Sequence, residues 1–403
     1  MARTAPYRAV KLALVMVAVG DLRGSGGAER QFADLFAHLR CVGRDDVTLI
    51  TARDSVSRLH EAGRLASADG VIALRLGHRP AQGLVGIAWM TLALLWVTLT
   101  RRYDLVHLCL PTPSYVPYAA LLACLPRGWR PRLAMTVIDC TLAPNLASGH
   151  ASDLYEQQVL DAHRMYFRWS RLDGVYSWYQ AFIGVSRDQR LLPARTVVSA
   201  AQYCFTEPDR FRPAPVKERL VVFAGRLSEQ KRPLLFVDAV SALRARAPEL
   251  LAGWRFEMYG RGVLERKVGA RIADYRLDDL LTMTHAVDMA PVCSRSRLFV
   301  STQAFENFTS LAMLEAMAAG NAVIAEDVGQ TYEFVRPGEN GFLVEGASPE
   351  AFADAIAEYL RHPEHHGAMA AASRRLTTEV HTIEHFADDI AAFWRDVVRG
   401  PAS

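Results

Sequence analysis

The sequence predicts an α/β protein of two doubly wound domains whose parallel sheets face each other across a cleft. Three observations predict it. The chain has 403 residues, too many for one hydrophobic core and suited to two domains of about 200. Apolar runs of strand length alternate with helical patterns from end to end, the signature of parallel strands joined by covering helices. A single stretch, Glu207–Lys217 (EPDRFRPAPVK), breaks that alternation with three prolines and several charges, and a new strand pattern follows it.

In the first half, Leu12–Val19, Val47–Thr51, Leu105–Leu110 and Leu133–Val137 read as buried strands, with a helix over Ala28–Arg40. Gly83–Thr100 is apolar, uncharged and followed by Arg101-Arg102. Its length just reaches that of a membrane span, but strand and helix units continue on both sides, so it reads as a helix covering a sheet. In the second half, Leu220–Ala224, Phe256–Tyr259, Leu298–Ser301, Asn321–Ala325 and Gly341–Val344 read as strands, with helices over Pro233–Arg246 and Pro349–Arg361. Ile383–Val398 is an amphipathic helix free to pack back across the chain. The expected plan is a domain over 1–206, a linker over 207–217, a domain over 218–382 and a C-terminal helical segment over 383–403, packing toward the first domain.

Composition excludes several classes. Apolar residues make up 51% and charged residues 22%, which is globular rather than disordered. A net charge of +3 gives no reason to expect a nucleic acid partner. Six scattered cysteines with no C-x-x-C pair read as thiols of a reducing compartment, hence a cytoplasmic protein, and not as a disulfide frame or zinc site. Leu12–Val19 is too short for a signal-peptide core and fits a first buried strand better.

Ligands of open α/β sheets bind beyond the carboxyl ends of the strands, so chemistry is expected in strand-to-helix loops. The strand ending at Ala224 runs into Gly225-Arg226-Leu227-Ser228-Glu229-Gln230-Lys231, and Pro233 then opens a helix. Two cations in one such loop suit a diphosphate; a merely solvated basic loop is the plain alternative. Farther on, Thr309 or Ser310 is a good N-cap and Gly320 a good stop for a helix whose one charged residue is Glu315. A carboxylate buried there needs hydrogen-bond donors, and the two hydroxyls of a ribose would supply them; the alternative is that Glu315 faces water. The helix start offers amides at Ser310 and Leu311 to an anion. In the first domain, Gly26-Gly27 would let backbone approach a ligand, but the loop lacks the G-x-G-x-x-G dinucleotide pattern. Gly260-Arg261-Gly262 is a second glycine turn, too short to be diagnostic.

These residues resemble the glycosyl transferases group 1, retaining enzymes of the GT-B fold with two Rossmann-like domains. The matching segments are Gly26-Gly27-Ala28-Glu29-Arg30, Gly225-Arg226-Leu227-Ser228 with Lys231, Glu306-Asn307-Phe308 with Leu314-Glu315-Ala316-Met317-Ala318-Ala319-Gly320, and Val328-Gly329 with Glu333 and Gly338–Val344. The resemblance is specific from Leu220 to Val344 and weaker before. It implies that Arg226 and Lys231 meet the donor diphosphate, Glu315 the ribose and Glu306 the donor sugar. It implies too that backbone from Asn307 through Phe308, Thr309 and Ser310 to Leu311 lines sugar and distal phosphate, with Gly225 in the phosphate loop and Gly26 and Gly27 facing the reaction centre. Two departures stand out. Glu306 and Glu315 lie nine positions apart where the family has eight, so spacing alone selects Asn307, while the Glu-x-Phe pattern selects Glu306. Ile138 stands where many members carry His; either Asp139 beside it substitutes, or acceptor contacts come from elsewhere.

The function implied is retaining transfer of a sugar from a UDP- or GDP-sugar to a hydroxyl of a glycan or lipid-linked acceptor, in cell-surface polysaccharide or glycolipid synthesis. The chain has no D-x-D, so neither a metal nor another cofactor is expected. The rival readings are an epimerase or phosphorylase of the same fold and a non-catalytic nucleotide-sugar-binding protein. Arg127, Trp129, Arg130 and Arg132, and later Arg164, Arg168, Trp169 and Arg171, suit peripheral contact with an anionic membrane at its inner face, or are ordinary surface arginines.

Overall fold

A computed structural model describes residues 10–17, 27–44, 46–76, 83–151, 154–286, 288–308 and 310–400, with the side chains of 154 and 155 left out. The chain divides into two units, Met1–Gln202 with Phe386–Ser403, and Tyr203–His385.

The first unit holds strands β1 (Leu12–Val15), β2 (Val47–Ala52), β3 (Val71–Leu74), β4 (Leu105–Leu108), β5 (Arg132–Val137), β6 (Gly174–Ser177) and β7 (Val197–Ala200). Its helices are α1 (Gly27–Cys41), α2 (Arg53–Glu61), α3 (Leu84–Arg101), α4 (Val116–Cys124), α5 (Leu142–Ser148), α6 (Leu154–Trp169) and α7 (Gln180–Asp188). The strands form one sheet in the order β3-β2-β1-β4-β5-β6-β7, every pairing parallel. Central strands are buried on both faces, which is why Leu12, Ala13, Leu14 and Val15 form an unbroken apolar run.

The second unit holds β8 (Leu220–Ala224), β9 (Arg255–Tyr259), β10 (Leu281–Thr284), β11 (Leu298–Ser301), β12 (Ala322–Glu326) and β13 (Gly341–Val344). Its helices are α8 (Pro233–Arg246), α9 (Glu265–Asp274), α10 (Ala290–Arg295), α11 (Leu311–Ala318), α12 (Pro349–Arg361) and α13 (His366–Arg375). The sheet order is β10-β9-β8-β11-β12-β13, again all parallel. Chain direction across the sheet reverses between β8 and β11, and at such a switch point the loops beyond the carboxyl ends diverge and leave a crevice.

The last helix, α14 (Ile383–Arg399), starts in the second unit and from Phe386 onward belongs to the first. Its apolar face lies over β4 and β6. A Cβ on Gly174 would fall 2.4 Å from Val397 and 2.8 Å from Phe393, so glycine is needed there for the helix to seat. Trp394 donates its indole N–H to Nδ1 of buried His107 at 2.7 Å. Indole is donor only, so Nε2 of His107 carries the proton and donates to Thr136 Oγ1 at 2.6 Å.

Candidate functional site

The two loops at the second unit's switch point carry most of the residues singled out above. Gly225–Arg232 follows β8, and Thr302–Ser310 follows β11. Because β8 and β11 are hydrogen-bonded neighbours, both loops emerge from the same edge side by side.

Several bonds tie them together. The Thr302 hydroxyl is shared between the carbonyls of Lys231 and Arg232, each at 2.9 Å. Ala304 N–H donates to the Gln230 carbonyl at 2.9 Å. The Lys231 ammonium donates to Gln303 Oε1, and Gln303 Nε2 donates to the Glu306 carbonyl. The Lys231 stem runs over Gly225, with Cδ 3.7 Å from where a Cβ would stand, an ordinary contact. Glycine at 225 is therefore not sterically demanded for its own sake. The demand falls on the next loop: a Cβ at Gly260 would lie 1.9 Å from the Gly225 carbonyl oxygen, and one at Gly262 would lie 2.4 Å from that of Leu227. The turn that looked undiagnostic in sequence is what lets the β9 loop lie against the cation loop, bonded through Leu227 N–H to the Arg261 carbonyl at 2.8 Å.

Arg226 is exposed, and its side chain has no ion-pair or hydrogen-bond partner among the described residues. Arg232, by contrast, is held by the Glu326 carboxylate at the end of β12. The shallow groove on the other side of this loop, by Glu229, Arg232, Leu235, Asp238 and Leu264, contains two carboxylates and is a poor place for an anion.

Glu306 is 4% exposed. Its carboxylate accepts the Phe308 N–H at 2.8 Å and the Gln330 N–H at 2.9 and 3.0 Å. Burial pushes its pKa up, while the amides of Phe308, Gln330 and Asn307 pull the other way. These bonds join the β11 loop to the Val328–Gln330 loop after β12. Asn307, the residue that spacing alone selects, is fully buried and committed at both ends of its amide. It accepts from Ser301 Oγ at 2.6 Å and donates to Thr331 Oγ1 at 3.1 Å. Phe308 is buried against Phe334, ring centroids 5.2 Å apart.

Ser310 is the N-cap of α11 and makes no side-chain cap bond, but its own amide donates to the Asn307 carbonyl at 3.0 Å, so contrary to the sequence expectation it is not offered to an anion. Leu311 opens the helix, so the first-turn amides lack intrahelical acceptors. The helix ends as expected: Gly320, at φ 70°, donates to the Met317 carbonyl, and Asn321 to that of Ala316. Glu315 is 5% exposed, which removes the solvent-facing alternative. Burial, and after it the Glu315 charge, pushes up the thiol of buried Cys293 on α10, the helix that packs against α11. Gly26 and Thr309 lie outside the described residues; Gly27 is the first residue of α1.

In the first unit, Asp139 follows β5. Its Oδ1 accepts the Thr141 N–H at 2.9 Å and the Thr141 hydroxyl at 2.7 Å, shaping the turn into α5. Burial lowers the pKa of His163 on α6, whose Nδ1 meets the Val159 carbonyl at 2.8 Å and whose Nε2 has no partner among the described residues. Among the described residues, the one His and carboxylate group close enough to hold a metal ion is His362, Glu364 and His365, at the turn after α12 and on neither switch-point loop.

Comparison with known proteins bears on the fold. Residues 218–362 match the family model of glycosyl transferases group 1. A D-inositol 3-phosphate glycosyltransferase of Paenarthrobacter aurescens is 32% identical over 138 residues, 34% of each chain. The lipopolysaccharide core biosynthesis mannosyltransferase LpsB of Rhizobium meliloti is 32% identical over 193 residues, 46% of this chain and 53% of LpsB. The chain thus spans a third to about half the length of these curated relatives. Solved structures match over nearly all of it. Anabaena Alr3699/HepE in complex with UDP and glucose aligns with TM-score 0.70 and 17% identity, covering 96% of this chain and 99% of that one. Sucrose-phosphate synthase of Thermosynechococcus elongatus aligns with TM-score 0.73 and 18% identity over the same shares. At such identity these likenesses establish the fold, which is GT-B.

Proposed function

We propose, on the premise that the second unit is a group 1 glycosyl transferase domain, that this chain moves a sugar from a UDP- or GDP-sugar to a hydroxyl of a glycan or glycolipid acceptor. The observation that carries the reading is the pairing of Arg226 and Lys231, in one loop after β8, with the amino end of α11 after β11, at the sheet's switch point. The HepE complex with UDP and glucose supports a nucleotide-sugar donor. LpsB supports an acceptor of the cell-surface glycolipid class. Six cysteines present as thiols are in keeping with the cytoplasm.

In this reading the bond between the anomeric carbon and the diphosphate oxygen breaks, and the electron pair leaves with the phosphate. Arg226, Lys231 and the first-turn amides of α11 stabilise that charge more than they stabilise the intact donor. The acceptor oxygen bonds to the anomeric carbon on the face the phosphate leaves, and its proton passes to a phosphate oxygen, so the configuration is retained. The two cations of the loop take the role a divalent ion would otherwise have, and no metal is assigned. Glu315, buried on α11, is the group assigned to the ribose hydroxyls. Glu306 is assigned as a positioning residue, since its carboxylate orders the Phe308 and Gln330 amides.

The test is a panel of UDP- and GDP-sugars with the full-length protein, with and without EDTA, and products read by NMR. A glycoside of retained configuration, formed equally in EDTA, is expected. Isomerised or hydrolysed donor as the main product favours the epimerase reading, sugar phosphate formed when inorganic phosphate is supplied favours the phosphorylase reading, and nucleotide binding with no turnover favours the non-catalytic one.

A further inference from the structure

Helix α3 has two apolar faces, and the fold uses one. Met90, Thr91, Leu94 and Thr98, at intervals of three and four, are buried against the sheet. On the opposite side Val85, Trp89, Leu92 and Trp96 follow the same spacing and are exposed by 84%, 59%, 60% and 72%. No charged residue occurs in the helix before Arg101. The expectation that this segment simply covers the sheet is thus half met, since its outer face is as apolar as its inner one. A stripe of two tryptophans, a leucine and a valine is not an ordinary solvated helix face.

α3 has the length and hydropathy of a membrane span. It connects β3 and β4, which lie in one parallel sheet, and a helix crossing a bilayer would put those strands on opposite sides of it. Lying in the membrane surface is compatible with the sheet; spanning is not.

The surroundings favour an anionic lipid surface over a second protein. α3 packs on α4, and α4 on α6. The three helices precede β4, β5 and β6 of a parallel sheet, so their carboxyl ends meet at one edge. Arg101, Arg102, Arg168 and Arg171 are exposed at that edge and form no ion pair among the described residues. Trp129 and Trp169 stand exposed among them by 79% and 55%. Of the other basic residues there, Arg127, Arg130 and Arg132 share the single carboxylate of Asp173 and so keep a net positive charge, while Arg164 pairs with Asp161 at 3.7 Å. Basic residues and tryptophans beside an apolar stripe complement anionic headgroups and the acyl boundary beneath them.

We propose that α3 is a membrane-docking helix, lying in the interface of an anionic bilayer with Trp89, Leu92 and Trp96 inserted and the arginines at its carboxyl end on lipid phosphates. A bilayer-bound enzyme would meet an acceptor carried on a lipid, but the docking itself does not rest on the catalytic reading.

The experiment is cosedimentation of the full-length protein with vesicles of phosphatidylcholine alone or with 30% phosphatidylglycerol, alongside the W89S/W96S variant. The wild type should bind the anionic vesicles at least tenfold more tightly than the neutral ones, with binding weakened by salt. The variant should lose at least fivefold while its melting temperature is kept. Should the variant fail to fold, quenching of wild-type tryptophan emission by brominated lipid takes its place, with strong quenching expected. Wild type that stays in the supernatant, a folded variant that binds as well as wild type, or emission untouched by brominated lipid overturns the proposal. So does a dimer in light scattering that W89S/W96S dissociates in the absence of vesicle binding, which would make a second copy the occupant. Vesicle binding is read without donor or acceptor, so it stands or falls separately from glycosyl transfer.

Discussion

The Glu306 carboxylate fills the space that a side chain on Gly329 would need: a Cβ there would lie 2.2 Å from Oε2, on a residue at φ 54°. Gly329 is thus required twice, for its left-handed backbone and for its bareness. Gly329→Ala should lower stability by about 1–3 kcal/mol and, by shifting Glu306 and the Gln330 amide, cut donor turnover more than tenfold. Thermal unfolding and kcat/KM on one preparation check both. Unchanged kinetics would mean that the joint between these loops has no bearing on chemistry.

Lys231 and Arg226 are expected to act on charge, not on folding. Lys231→Ala should keep its melting temperature within a few degrees and lose more than tenfold in donor turnover, at least about 1.4 kcal/mol of transition-state stabilisation. Lys231→Arg should recover little, because the wider guanidinium cannot follow the stem's path over Gly225 to Gln303. Turnover retained within tenfold in Lys231→Ala would remove the diphosphate role.

Asn307 and Glu306 should separate into different phenotypes. Asn307→Ala strands the Ser301 hydroxyl, while Thr331 keeps its bond to the Val328 carbonyl, and should cost about 1–3 kcal/mol, seen chiefly in unfolding. Glu306→Gln keeps the shape but can turn an amide N–H₂ toward the Gln330 N–H, and should be seen chiefly in kcat. If the two substitutions exchange phenotypes, Asn307 is the donor-sugar residue that spacing alone selected.

Two buried histidines, His107 beneath α14 and His381 against Phe334, give the protein an acid limit. Burial holds His107 neutral, with its pKa lowered to about 3, and lowers that of His381 to about 4. Unfolded histidine titrates near 6.5, so below that pH the unfolded chain binds more protons than the folded one. The stability both histidines contribute is therefore whole above pH 6.5 and is lost progressively as pH falls toward 4 and then 3. Denaturant midpoints should fall steadily over that window. Trp394→Phe, which takes the donor from His107 Nδ1, should cost about 1–3 kcal/mol at neutral pH.

Much of this architecture is legible in the sequence. β8, β11 and β13, with α8 and α12, fall where apolar runs and proline starts put them. β3, β7 and β10 escaped notice because they lie at or beside sheet edges, where half-exposed positions such as Val71, Val197 and Thr282 break the continuous apolar run that marks a central strand. β6 escaped because Gly174 and Ser177 hide it, glycine being there to admit α14. Within the site, two cations in one strand-to-helix loop could be seen from spacing alone. The need for glycine at 260 and 262, and the commitment of Asn307 to Ser301 and Thr331, could not, since each arises from a second loop whose approach local sequence does not encode.

Titration calorimetry of UDP and GDP into the full-length protein and into the Arg226→Ala and Lys231→Ala variants tests the central claim most directly. The account predicts saturable binding of one of the two diphosphates to the wild type, weakened at least tenfold in each variant, with the bare nucleoside binding wild type and variants alike. Equal diphosphate affinity in all three proteins, or no saturable binding to the wild type, would contradict it.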